Sequence, residues 1–129
     1  MNSCLRIFSF LIICLLFCAG CQRLDKKDLI GKWKVVSIEE EEQPLGIDIS
    51  QMYFDFFNDG TYLYQGNLKY KEAGTFYLKK NLLYTLDTTQ STSKEKAVRI
   101  SLTPADSLVF KMNNQGAERL MRLVRKNDN

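Results

Sequence analysis

This 129-residue chain carries four cysteines and fifteen carboxylates but no histidine, and that inventory bounds its chemistry. Without histidine, the commonest general base and transition-metal ligand is gone. The cysteines are Cys4, Cys14, Cys18 and Cys21, all in the first 21 residues, so the rest of the chain has no thiol for a nucleophile, a zinc site or a disulfide. Asp55 with Asp59, and Asp87 with Glu95, are near enough in sequence to act as acid–base pairs. Both pairs fall beside turn signals, where carboxylates form turns or face water. Ser37, Ser101 and Ser107 have no visible base. The expectation is therefore no enzyme, no catalytic residue, no metal site and no cofactor. What remains is aromatic. Phe54, Phe56, Tyr62, Tyr64, Phe76 and Phe110 recur in short alternating runs, and such rings can line a pocket for an apolar or amphipathic molecule, with tyrosine hydroxyls to orient it. They are the candidate ligand-binding residues; the plainer reading is that they fill a core.

Two regions must position these groups, and they differ in composition. Residues 1–20 hold one cation, Arg6, and a run from Ile7 to Phe17 that is apolar apart from Ser9, after which Ala19 and Gly20 precede Cys21. That is the layout of a signal peptide, and a run this short, followed at once by Gln22, Arg23 and Asp25, is a poor membrane span. Only Cys21 follows two small residues; Cys18 follows Phe17, and Cys14 follows Ile13. Cys18-Ala19-Gly20-Cys21 resembles the lipobox of bacterial lipoproteins, with Cys18 where the first position is usually Leu. The resemblance implies cleavage before Cys21, acylation of Cys21 with palmitate among its chains, and a membrane anchor in the envelope of a Gram-negative cell. Gln22 to Asp28 lacks a dense acidic run, which favours the periplasmic side of the outer membrane over the cell surface. Residues 1–20 are thus read as the signal peptide and 21–28 as the lipidated cysteine with a short tether. Each buried CH₂ contributes about 0.8 kcal/mol, so several chains on one cysteine tether a domain without embedding it.

From residue 29 to 129 the chain reads as one all-β domain. Period-2 runs suggest strands at about 32–40, 51–58, 61–67, 73–79, 82–88, 96–103, 107–113 and 117–126. Asn58-Asp59-Gly60, Lys80-Asn81, Pro104-Ala105-Asp106 and Asn113 to Gly116 supply the turns; only 41–50 and 89–95 are longer connections. No stretch forms an amphipathic helix of useful length, although Leu45 to Gln51 has room for one turn. Sequential hairpins of eight antiparallel strands bury their faces most simply as an up-and-down barrel, which also removes exposed edges; a two-sheet sandwich is the alternative. Alternation puts Met52, Phe54 and Phe56 on one face and Asp55 on the other, so the first set points inward. Tyr62 with Tyr64, Phe76 with Leu78, and Leu108 with Phe110 and Met112 are the matching inward sets.

Leu29-Ile30-Gly31-Lys32-Trp33-Lys34-Val35 resembles the Gly-x-Trp opening of lipocalins, above all the small lipocalin-like domains common in bacterial lipoproteins. Phe56-Phe57-Asn58-Asp59-Gly60-Thr61-Tyr62, Ala73-Gly74-Thr75-Phe76 and Leu102-Thr103 through Leu108-Val109 match further along. The resemblance implies that Gly31 and Trp33 close the barrel base and that an arginine of the last strand, Arg122 or Arg125, lies across the indole. Such a cation–π contact contributes about 0.5–2 kcal/mol. The other end of the barrel, with 39–51 and 87–96 as its rim, would be the entrance.

Removing residues 1–20 takes only Arg6 from the 18 basic side chains, leaving 17 against 15 acidic ones. This balance, without a basic stripe, gives no reason to expect nucleic acid as a partner. Two functions fit: a lipid-anchored binder of a small apolar or amphipathic molecule, or a non-catalytic envelope scaffold whose filled barrel presents its outside to a protein partner. A monomer is expected in either case.

Overall fold

The computed structural model describes residues 23–127. Cys21, the expected anchor, lies outside the described residues, as does the leader.

Alternating polar and apolar side chains produce β1 (Gly31–Glu40), β3 (Tyr53–Phe56), β4 (Thr61–Gln65), β5 (Lys71–Lys79), β6 (Leu82–Asp87), β7 (Lys96–Leu102), β8 (Ser107–Asn114) and β9 (Ala117–Arg125), with a two-residue β2 (Gln43–Pro44) hairpinned onto the end of β1. The eight long strands pair antiparallel in sequence order, and β1 also pairs with β9, so the sheet closes into a barrel. The turns place residues at positive φ where the sequence offers them: Gly60 at 85°, Lys80 at 58°, Asp106 at 55° and Gly116 at 90°. Gly74 serves another purpose: a Cβ there would come within 1.8 Å of the Leu86 carbonyl oxygen, so glycine allows β5 and β6 to approach.

The inner face holds Trp33, Val35, Phe56, Tyr62, Phe76, Leu83, Ile100, Leu108, Phe110 and Leu123, each at most 5% exposed. Tyr64, Phe54, Leu78 and Met112 pack against this core, so every inward set read from alternation lies on the expected face. Alternation does not run unbroken, however. β1 shifts register against β9 between Val35 and Ser37, and the inward parity passes from Trp33 and Val35 to Ile38 and Glu40. Ser37 sits at this bulge with its Oγ buried and unpartnered among the described residues.

Residues 23–28, read as tether, belong in fact to the fold. Lys26–Leu29 forms a one-turn helix, α1, and the Asp28 carboxylate accepts the Asp25 N–H at 2.9 Å. Leu24 and Leu29 are buried. These two apolar residues cap the barrel base, which is what draws this polar stretch onto it. Among the described residues no helix is long and apolar enough to cross a membrane.

Candidate functional site

The barrel has one closed end and one open end. At the closed end Trp33 is fully buried and donates its indole N–H to the Leu29 carbonyl at 2.8 Å. Arg125 lies over the indole ring, 4.2 Å from its centroid to the guanidinium carbon, and donates to the carbonyls of Ile30 (2.8 Å) and Asp28 (2.9 Å). Gly31 has φ +122°, and a Cβ there would stand 2.8 Å from the Arg125 guanidinium. The glycine is therefore required twice, for its backbone angle and for the space. Arg122 plays no part in this plug. It faces outward from β9, one position out of step with the inward Met121, Leu123 and Arg125.

At the opposite end a cavity of about 270 Å³ opens between the strands. Phe54, Tyr62, Tyr64 and Phe110 line it together with Val98 and Met121. Phe54 stacks on Tyr64 (centroids 4.3 Å apart, rings 22° from parallel) and meets Phe110 edge-on at 5.3 Å. Phe56 and Phe76 do not reach the cavity. They pack edge-to-face at 5.0 Å lower in the barrel, so two of the six candidate rings support the others. The rim is formed by the connections expected for it: Ile47 comes from the long 41–52 segment and Lys96 from the start of β7.

Three charged residues line the cavity that the sequence reading had not singled out. Glu72 is only 6% exposed and accepts hydrogen bonds from the Tyr62 hydroxyl, the Tyr70 hydroxyl (2.9 Å) and the Lys96 ammonium (3.0 Å). Burial first, and then the hydrogen bond to Glu72, push the Tyr62 phenol far above its ordinary value. For Tyr70 the hydrogen bond leads, raising it to about 12. Across the cavity Arg119 pairs with Glu40 (Nε to Oε2, 2.9 Å), which holds the Glu40 carboxyl below its usual range. The parity signal was available, since Glu72 is two residues before the inward Gly74 and Arg119 two before the inward Met121. Charged side chains at inward positions near a strand end are the signature of a polar mouth.

The carboxylates considered for acid–base or metal chemistry are dispersed. Asp59 and Asp87 each bind the backbone N–H and hydroxyl of the threonine two residues on, and Asp55 faces Lys32. Among the described residues no three potential ligands cluster as a metal site would need.

The sequence profile of the lipocalin-like domain matches residues 29–110. The chain belongs to the lipocalin-like domain family. The match runs from the closed end through the first half of β8, and β9 completes the lipocalin-like barrel beyond it. Among curated proteins no significant relative is found. A crystal structure of an uncharacterized protein from Bacteroides eggerthii DSM 20697 is similar at 14% identity and a TM-score of 0.45, covering 72% of this chain and 97% of that one.

Proposed function

We propose that this lipocalin-like protein is a lipid-anchored envelope protein that binds a small apolar or amphipathic molecule in the open end of its barrel. The observation that carries the reading is the cavity of about 270 Å³, walled by rings and aliphatic groups and edged by Glu72, Lys96 and Arg119. An eight-stranded barrel is wide enough either to be filled by its own side chains or to hold one small molecule, and here space is left inside the open end. An apolar wall with a few convergent polar groups suits a molecule with a hydrophobic body and one polar end. The family is generally non-catalytic, in keeping with a binder.

Anilinonaphthalene sulfonate, a fluorescent probe with a hydrophobic body and one charged group, is the test. It should bind saturably with a Kd on the order of 1–10 µM. Val98→Trp, which projects an indole into the cavity, should weaken binding by about tenfold, or ~1.4 kcal/mol, while the protein stays folded. Non-saturable binding, or binding indifferent to Val98→Trp, would count against a binding cavity and favour the scaffold role.

The anchor is tested separately. The isolated protein should carry acyl chains on Cys21 by intact mass and partition into detergent, and Cys21→Ala should lose both properties. Acyl chains persisting in Cys21→Ala would reject the assignment.

A further inference from the structure

The two ends of the barrel carry opposite charge. Because each turn of an up-and-down barrel lies at one end or the other, every connection can be assigned. Residues 23–31, 56–61, 79–82, 102–107 and 125–127 form the closed end, with seven Lys or Arg against four Asp. Residues 40–53, 65–71, 87–96 and 114–117 form the open end, with four Lys against six Asp or Glu. The near-neutral total hides this separation. Arg23, Lys27, Lys79, Lys80 and Lys126 are all exposed at the closed end. Lys27, Lys79 and Lys80 make no ion pair among the described residues.

The chain also enters the fold at this end. Leu24 is buried against the base, and the Leu29 carbonyl is held by the Trp33 indole. Three residues span at most about 10 Å, so Cys21 cannot lie farther than that from Leu24. We infer that the closed end is a membrane-facing surface: its lysines rest on anionic phospholipid headgroups, and the cavity opens away from the bilayer. This rests on the reading of Cys21 as the anchor, which brings the base to the lipid surface. Lysines attract an anionic surface only within a Debye length, about 8 Å at physiological salt, and the barrel is roughly 25 Å long. The acidic open end therefore sits beyond that range and would be repelled if the domain tipped over. The cavity would then exchange its contents with the aqueous space and not with the bilayer that holds the protein.

The test uses the full chain, expressed with its own first 22 residues, isolated in detergent and reconstituted into vesicles of phosphatidylcholine alone or mixed with phosphatidylglycerol. Lysines are acylated with a water-soluble amine reagent and their modification is read by mass spectrometry. Lys27, Lys79 and Lys80 should react about threefold or more slowly on the anionic vesicles, recovering in high salt, while Lys69 and Lys94 at the open end stay unchanged. Lys79→Gln with Lys80→Gln should abolish the remaining protection at Lys27. Equal reactivity at both ends, or protection at Lys69 and Lys94, overturns the orientation. Intact mass separates this result from the anchor: a chain without acyl groups removes the anchor reading, and the same protection pattern then still reads which end meets anionic lipid.

Discussion

The two ends of this barrel are built from the same strands and solve opposite problems. At the closed end the polar groups near Trp33 rest chiefly on backbone: the indole on Leu29, and the Arg125 guanidinium on Ile30 and Asp28, with its Nε also donating to the Asp106 carboxylate at 3.2 Å. The indole N–H and all three guanidinium nitrogens are thereby paired. At the open end the polar groups satisfy one another through side chains, Tyr62, Tyr70 and Lys96 around Glu72 and Arg119 against Glu40, and space remains between them. Backbone partners are fixed by the fold, whereas side-chain partners can be exchanged for those of a guest. The contrast shows how one barrel divides stability from access along its own axis.

That division makes the base the more sensitive end. Trp33→Ala should have the largest effect, about 3–5 kcal/mol of lost stability by chemical denaturation, because a fully buried indole leaves a void and an unpartnered Leu29 carbonyl. A loss below 1 kcal/mol would mean the plug is not what closes the barrel. Arg125→Ala should follow at about 2 kcal/mol, since it deprives two carbonyls of their donor and the indole of its cation, while Arg122→Ala on the outer face should stay within about 0.5 kcal/mol. Equal effects for the two arginines would erase the distinction drawn between them. Val98→Trp reverses the pattern, with probe binding impaired and unfolding nearly unchanged.

The smallest effect concerns pH. Tyr62 and Tyr70 hold their protons to higher pH in the fold than the ordinary phenol value of 10, and Tyr70 reaches about 12. A group whose pKa is raised by folding contributes stability that is whole below its unfolded value and lost as pH rises through the folded one. Melting temperature should therefore fall as pH goes from 10 towards 12, and absorbance of the phenolate should show a late-titrating fraction among the six tyrosines. Glu72→Gln removes the carboxylate that leads the Tyr70 shift, so Tyr70 should then titrate earlier. An unchanged tyrosine titration in Glu72→Gln would show that the carboxylate does not govern it.

Much of this was legible in the residues themselves. The period-2 runs gave the eight long strands, and the parity of Asp55 against Phe54 and Phe56 gave the inner face, because side-chain alternation is a local property of an extended chain. Gly31 and Trp33 announced the closed end through their order and through the family they resemble. Other features depended on contacts between distant segments. The bulge after Val35 shifts β1 by one residue against β9, and so turns Glu40 inward to meet Arg119, 79 positions away. The choice between Arg122 and Arg125 follows from the same pairing, which decides which arginine stands over the indole. Which rings line the cavity and which merely support it is set by height along the barrel, and the separation of charge between its ends emerges only when the turns are sorted by end. Alternation fixes the face of each residue from its neighbours alone; register, closure and height are fixed by hydrogen bonds between strands far apart in the chain, and those only the tertiary structure decides.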